Sequence, residues 1–297
     1  MIASPDNLHS HGPRASGAAR LVVQHPSLAA PAIEAFAARL GAPASALSPG
    51  LAVWEHACLD AVEVAALAHV QGVDAALVPQ RSRLGDYRLL AFDMDSTLIT
   101  IECIDEIADY AGFKAQVAAI TEAAMRGELA DYDESLRRRV ALLAGLDVAT
   151  LARVFDERLR LSPGARNLLA TARREGLRTL LVSGGFTYFT DRLKADLGLD
   201  HTRSNTLEVA GGKLTGRLVG AIVNADAKAQ ALLDTCRALG CDPAQAVAIG
   251  DGANDLKMMS LAGVSIAYHA KPVVRSQTTY AINHCGLDAV LNLLQAG

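Results

Sequence analysis

The second half of the chain repeats one pattern, in which a continuous apolar run ends at acidic residues or glycine and a helical stretch follows. The runs RLLAFD, RTLLVSGG, AVAIGDG and VSIAYHA all show it. Strands that are apolar on both faces, with helices between them, are typical of a parallel sheet covered on both sides. Ligands of such sheets bind at the carboxyl ends of the strands. The pattern therefore predicts a doubly wound α/β core with functional residues at these ends.

Two stretches interrupt this alternation. Residues 102–160 lie between the first two strands, are helical in pattern and are too long for one crossover. We interpret them as a helical cap inserted into a core of residues 87–101 and 161–297. The second interruption is NTLEVAGGKLTGRLVG. Apolar and polar residues alternate on both sides of Gly211 and Gly212, which predicts a β-hairpin.

The first part of the chain has a different organisation. Residues 20–80 have the order strand, helix, two strands, helix, strand, which is the ferredoxin-like pattern, with ASALSPG as its weakest strand. The polar stretch QRSRLGDY links this small α/β domain to the core. Residues 1–19 lack the features of a signal peptide, and we expect a disordered tail.

Composition narrows the classes of function. Hydrophobic residues make up 51% and aromatic residues 4% of the chain, which favours an aliphatic core of helices packed on a sheet. The net charge of -4 and the scattered basic residues argue against a nucleic-acid partner. Polar residues interrupt the longest apolar region, so no membrane span is expected. Five cysteines without a C-x-x-C pair indicate reduced thiols and a cytoplasmic protein.

Two carboxylates follow the first core strand, at Asp93 and Asp95. Their repulsion and desolvation require compensation by a cation, a proton or hydrogen-bond donors. Asp93 could attack phosphorus to form an aspartyl-phosphate, while Asp95 protonates the leaving group and later deprotonates water. A D-x-D pair alone is a weak signal, because acidic loop ends are common.

Three further motifs occur at the ends of other core elements. Ser183 and Gly184 follow the next strand, where a hydroxyl and an amide could bind phosphate; a plain strand-to-helix turn is the alternative. Lys228 begins a helix and could offset phosphate charge, although a helical lysine is usually solvated. Asp251, Asn254 and Asp255 form an acidic turn whose hard oxygen atoms suit Mg²⁺, or an ordinary Asx-rich turn.

In this order, D-x-D-S-T, S-G-G, lysine and G-D-G-x-N-D, the motifs resemble the haloacid dehalogenase superfamily of phosphohydrolases over residues 87–290. The resemblance implies a Rossmann-like fold with Asp93 as nucleophile and Asp95 as general acid and base. It implies Mg²⁺ held by Asp93, the Asp95 carbonyl and Asp251, with Asp255 in support. Ser183, Gly184, Lys228 and Asn254 would then bind the substrate.

The stretches DMDSTLITIECIDEIADYAG, ITEAAMRGEL and ESLRRRVALL, in and next to the cap, closely resemble the phosphoserine phosphatase family. This resemblance implies that Glu102 receives the ammonium and Arg139 the carboxylate of O-phospho-L-serine. Met125 could line an apolar wall of the cavity, although a methionine in a helix is more often part of the core. The expected activity is hydrolysis of that small molecule, the last step of serine synthesis. The alternatives are phosphotransfer to homoserine, hydrolysis of another small phosphometabolite, and non-catalytic sensing of an amino acid.

The N-terminal sixty residues resemble a degenerate ACT-like module found ahead of some such phosphatases. No residue there is a compelling ligand of an effector. Formation of a homodimer through this module, or simple packing, is the favoured expectation.

Overall fold

The computed structural model describes residues 19–125, 128 and 131–296, so the predicted N-terminal tail falls almost entirely outside the described residues. The strands of the described chain are β1 Ala19–Gln24, β2 Ala46–Ser48, β3 Leu51–Trp54, β4 Asp74–Pro79, β5 Leu89–Phe92, β6 Arg178–Phe186, β7 His201–Ala210, β8 Lys213–Val219, β9 Ala246–Gly250, β10 Val264–Tyr268 and β11 Tyr280–Ile282. The helices are α1 Ala30–Leu40, α2 Ala61–Gln71, α3 Cys103–Tyr110, α4 Lys114–Met125, α5 Tyr132–Ala141, α6 Ala149–Arg153, α7 Ala165–Arg174, α8 Thr187–Leu197, α9 Ala225–Leu239, α10 Leu256–Met259, α11 Pro272–Arg275 and α12 Val290–Leu293. None of these helices is long and apolar enough to cross a membrane.

The main sheet has seven strands in the order β11-β10-β9-β5-β6-β7-β8, and all neighbours are parallel except β7 and β8. Strand β5 lies in the middle and is buried on both faces. Leu90 and Phe92 point into one apolar cluster, and Leu89 and Ala91 point into the other. This alternation follows from the two-residue period of a strand. The predicted parallel α/β core is therefore confirmed.

The predicted hairpin is β7 and β8, and it continues the main sheet because β7 pairs with β6. Its outer strand also supports the helices between β5 and β6, which we call the cap helices (α3 to α6). The Gly145 amide donates to the Leu214 carbonyl at 2.8 Å, and the Leu214 amide donates to the Leu146 carbonyl at 2.8 Å. Gly216, with φ +78°, lies so close to the end of α5 that an added Cβ would lie 3.1 Å from the carbonyl oxygen of Ala141. The hairpin therefore fixes the position of α5.

Residues 19–79, which we call the front unit, form a second, antiparallel sheet in the order β2-β3-β1-β4. With α1 and α2 they follow the predicted order of strand, helix, two strands, helix and strand. The ferredoxin-like order arises because each helix buries one face on the sheet, with Phe36 of α1 and Val64 of α2 in the same apolar cluster.

Buried polar contacts join the front unit to the core. The Asp74 carboxylate accepts hydrogen bonds from three successive amides, those of Asn283 at 2.7 Å, His284 at 3.0 Å and Cys285 at 3.0 Å. The buried Arg20 guanidinium donates to the carbonyls of Asn292 at 3.0 Å and Leu293 at 2.7 Å. Because buried charges are costly unless they are hydrogen-bonded, these contacts hold the two parts in one defined arrangement.

Candidate active site

The residues singled out in the sequence meet at the carboxyl ends of β5, β6 and β9, beneath the cap helices. They surround a cavity of about 120 Å³. Its lining consists of Asp93, Asp95, Glu102, Ile104, Tyr132, Leu136, Arg139, Ser183, Gly184, Gly185, Phe186, Asp251 and Asn254. Lys228 and Asp255 lie buried behind this lining. Met125 ends α4, and its side chain lies outside what the structure describes.

A buried lysine joins two of the acids. Lys228 lies in the first turn of α9, whose N-cap Asn224 accepts from the Ala227 amide. Its Nζ lies 2.7 Å from an oxygen of Asp93 and 2.7 Å from an oxygen of Asp255. Burial opposes the charged form of Lys228, but the two carboxylates outweigh it and raise its pKa. Lys228 is therefore a fixed positive charge beneath the cavity floor.

The free oxygens of the acidic cluster suit a divalent cation. Asp93, Asp251 and Asp255 each offer a carboxylate oxygen, and these atoms lie within 4.8 Å of one another. Asp255 is fully buried and uses one oxygen for Lys228 and the other for the Gly252 amide at 3.0 Å. Asp93 and Asp251 keep an oxygen that accepts no bond from another described residue and line the cavity. This donor set fits a hard cation better than a soft one.

The electrostatics of this cluster call for positive charge. Burial and the neighbouring Asp255 raise the pKa of Asp93, while Lys228 acts in the opposite direction. Burial and Asp255 also raise the pKa of Asp251 to about 6, although the Thr97 hydroxyl donates to it at 3.0 Å. Like charges at this spacing favour protonation unless a cation neutralises them. A bound divalent cation would keep both acids ionised.

Asp95 reaches the cavity from an irregular turn, Met94–Leu98. Within it, Ser96 adopts a left-handed conformation with φ +55°, and the backbone turns back so that the Cys103 amide donates to Asp95 at 3.3 Å. Burial and the nearby Glu102 raise the pKa of Asp95 to about 8. A carboxyl group with a pKa raised in this way is suited to hold a proton and to give it to a leaving group near neutral pH.

Residues 183–185 form the cavity edge opposite the cap. Here β6 continues to Phe186, with a register shift against β7 between Val182 and Phe186, so these residues are an irregular part of a strand rather than a turn after it. The buried Ser183 hydroxyl oxygen accepts from the Gly185 amide at 2.8 Å and keeps its proton for another acceptor. Asn205 donates to the Gly184 carbonyl at 2.7 Å and accepts from the Val223 amide at 2.8 Å, which holds this edge against the segment leading to α9.

The cap contributes two opposite charges. Arg139 lines the cavity, whereas Arg137 and Arg138 are exposed and pair with acids on their own helix, so only one arginine faces inward, as predicted. The Ser96 hydroxyl donates to Glu102 at 2.7 Å. Glu102 is exposed at the mouth of the cavity, yet desolvation by the neighbouring groups raises its pKa, while the hydrogen bond from Ser96 and the charge of Arg139 lower it.

The sequence prediction missed several residues that shape this cavity. Ile104 and Leu136 supply apolar wall, and Tyr132 of α5 extends from the cap towards Gly184. The signal for Tyr132 was its position seven residues before Arg139, which places both on one face of α5. Thr97 and Asn205 also escaped prediction, because their partners Asp251 and Gly184 are distant in sequence.

Together these groups offer a buried carboxylate beside a lysine, an acid with a raised pKa, oxygens that could hold a cation and cap helices over the cavity, a set suited to attack on a phosphoryl group. Residues 90–260 match the family of haloacid dehalogenase-like hydrolases, and the chain belongs to that family.

Among its relatives, a phosphoserine phosphatase of Polaromonas sp. is 60% identical over 217 residues, which cover 72% of this chain and 92% of that protein. The unliganded structure of a probable phosphoserine phosphatase from Vibrio cholerae has a TM-score of 0.80 and 38% identity, covering 94% of this chain and 86% of that one. The structure of a substrate-bound phosphoserine phosphatase has a TM-score of 0.66 and 36% identity, and the match covers 70% of this chain and 99% of that one.

Proposed function

We propose that the protein hydrolyses O-phospho-L-serine to L-serine and phosphate in a Mg²⁺-dependent reaction. One observation carries this proposal: Glu102 and Arg139 line the same cavity as Asp93 and Ser183. A phosphorylated α-amino acid needs an acid for its ammonium, a planar cation for its carboxylate and a site for its phosphate. The cavity of about 120 Å³ suits a small substrate, because pockets for drug-sized ligands are about 300–1,000 Å³. The Polaromonas relative carries the name phosphoserine phosphatase, which agrees with this substrate.

In this proposal Asp93 and Asp95 share the chemistry. The free Asp93 oxygen attacks phosphorus, the bond from phosphorus to the seryl oxygen breaks, and an aspartyl-phosphate forms. Asp95 donates its proton to the departing seryl oxygen, and the resulting carboxylate then takes a proton from the water that releases phosphate. The raised pKa of Asp95, about 8, suits the first of these transfers.

The remaining residues bind and orient. Ser183 and the Gly184 amide donate to phosphoryl oxygens, Asn254 contacts the substrate at the floor, and Lys228 holds the Asp93 carboxylate in place. Asp93, the Asp95 carbonyl and Asp251 would hold Mg²⁺, with Asp255 in support through Lys228. When bound, the metal ion would offset the negative charge of the phosphoryl group and the two acids. Met125 stays a predicted part of the apolar wall.

Phosphate release from a panel of small phosphates tests this proposal. The panel contains O-phospho-L-serine, phosphohomoserine, glycerol phosphate and an aryl phosphate, each with Mg²⁺ and with a chelator. We expect the highest kcat/KM for phosphoserine and no turnover with the chelator. A preference for a phosphate that lacks the amino and carboxyl groups would refute the substrate, and full activity with the chelator would refute the metal. Homoserine added with phosphoserine distinguishes hydrolysis from phosphotransfer, which would give phosphohomoserine.

We also infer a division of the chain into an ACT-like domain of residues 20–80, a core of residues 87–101 and 161–297, and a cap of residues 102–160. A homodimer through the front unit is supported by its edge strand β2, which is exposed and carries Leu47 with 63% of its surface accessible. The five free cysteines support a cytoplasmic location. Sedimentation of the protein and of Leu47→Glu tests the dimer: we expect the variant to shift towards monomer, and a monomeric wild-type protein would refute it.

A further inference from the structure

Tyr132 presents a hydroxyl to the cavity that the proposed mechanism does not use. It is the first residue of α5, and the N-cap Asp131, whose side chain accepts from the Glu134 amide at 2.8 Å, fixes that end of the helix. A Cβ added to Gly184 would lie 2.0 Å from the Tyr132 hydroxyl oxygen and 3.2 Å from its Cζ. The tip of the phenol therefore stands directly against Gly184.

This hydroxyl donates to no other residue in the described part of the chain, although most of the ring is enclosed. Buried polar groups are normally hydrogen-bonded, so a donor left open at a cavity wall is available to a ligand or a water molecule. Burial raises the pKa of Tyr132 to about 12, so the hydroxyl keeps its proton at neutral pH. The Tyr132 hydroxyl reaches the cavity from the cap, whereas Ser183 and Gly184 reach it from the core.

We infer that the Tyr132 hydroxyl donates a hydrogen bond to a phosphoryl oxygen of the bound substrate and so closes the cap onto the phosphate end of the cavity. This inference rests on the proposed phosphate site at Ser183 and Gly184. Tyr132 lies against Gly184, whereas Arg139 is two turns further along the same face of α5, about 10 Å away along the helix axis. Helix α5 thus binds both ends of the substrate, with Tyr132 at the phosphate and Arg139 at the carboxylate.

Product inhibition separates these two ends. Inhibition constants of inorganic phosphate and of L-serine are measured against hydrolysis in the wild type, in Tyr132→Phe and in Arg139→Lys, all with Mg²⁺. For Tyr132→Phe we expect the constant for phosphate to rise about 10- to 100-fold, the loss typical of a hydrogen bond to a charged group, and that for L-serine to change less than about twofold. Arg139→Lys should give the opposite pattern. Phenylalanine keeps the ring, so the melting temperature should be unchanged.

Two results would overturn the inference. An unchanged constant for phosphate in Tyr132→Phe would mean that the hydroxyl has no ligand. Equal weakening of phosphate and L-serine would mean that Tyr132 only positions the cap. If the wild type turned over an aryl phosphate but not phosphoserine, the proposed substrate would fail, and the phosphate arm measured with the aryl phosphate would still decide the role of Tyr132.

Discussion

Three aspartates near the cavity differ because their oxygens have different neighbours. Asp255 is saturated by Lys228 and the Gly252 amide. Asp93 keeps one oxygen that accepts no bond from another described residue, and Asp95 accepts from both the amide and the side chain of Cys103. The same side-chain chemistry is thus suited to a support, a nucleophile and a proton donor. Burial and charge at each position, rather than residue type, separate these roles.

Arg139→Ala should affect phosphoserine far more than a phosphate without a carboxylate. We expect kcat/KM for phosphoserine to fall about 100-fold, because a charge-assisted contact to the carboxylate is lost, while kcat/KM for an aryl phosphate changes only a few-fold. Steady-state kinetics with both substrates check this. Arg138→Ala, which removes an exposed neighbour, is the matched control and should leave both values near the wild type. Equal losses on the two substrates would remove the carboxylate assignment.

The pH dependence of kcat/KM should reveal the role of Glu102 in binding the substrate ammonium. Because its pKa is raised, Glu102 becomes neutral at a higher pH than an ordinary glutamate does, and the substrate ammonium then loses its partner. The ratio of kcat/KM for phosphoserine to that for an aryl phosphate should therefore fall as the pH decreases through this pKa. Groups that act on both substrates change both kcat/KM values alike as they titrate, so their effect cancels in this ratio. In Glu102→Gln the ratio should be low and flat, and a wild-type ratio that does not change with pH would contradict the role.

The cavity depends on two irregular pieces of backbone and on one supporting hairpin. The turn Met94–Leu98 directs Asp95 inward, the irregular end of β6 presents residues 183–185, and β8 holds α5 in place. Each piece departs from regular structure at the carboxyl end of a strand or beside the cap. Such departures are common where a backbone must approach a ligand closely.

The contact between β6 and α5 can be tested by filling it. Gly184→Ala should reduce activity strongly, since the new Cβ would lie 2.0 Å from the Tyr132 hydroxyl oxygen. Adding Tyr132→Phe removes that oxygen and leaves the ring carbon at 3.2 Å, a tight but tolerable distance. The double variant should thus be more active than Gly184→Ala alone, as steady-state kinetics would show. No recovery would mean that α5 does not rest on Gly184.

Much of this level of structure was predictable from the sequence. The parallel core, the helical stretch and the hairpin carry strong periodic signals, and the positions of Asp93, Ser183 and Asp251 follow from the rule that strand ends meet at one edge. The direction of Asp95 was not predictable, because it depends on a left-handed Ser96 within a turn. The hairpin's pairing with β6 and the contact of Tyr132 with Gly184 depend on long-range packing that no local pattern encodes.

The front unit and the core form a continuous structure. Asp74 at the start of β4 accepts three amides from residues 283–285, and Arg20 of β1 caps the carbonyls at the end of α12. These contacts lie between the front unit and the core, and each joins residues that are far apart in the sequence. The front unit is therefore expected to contribute to the stability of the core.

Asp74→Ala should lower the free energy of unfolding by about 3 kcal/mol, because it leaves three amides at the interface without their acceptor. Urea denaturation measures this change. Asp60→Ala is the control, since it removes an exposed N-cap on α2 and should cost about 1 kcal/mol. A loss for Asp74→Ala no larger than that of the control would show that the interface adds little to stability.

The most direct test of the proposed function is phosphate release from O-phospho-L-serine by the wild type and by Asp93→Asn in the presence of Mg²⁺. An amide is a far poorer nucleophile than a carboxylate but has nearly the same shape, so the variant should fold and still bind substrate. We predict rapid release by the wild type and a loss of at least about a thousandfold in kcat for Asp93→Asn. Release by the variant at the wild-type rate, or none by the wild type, would contradict the proposal.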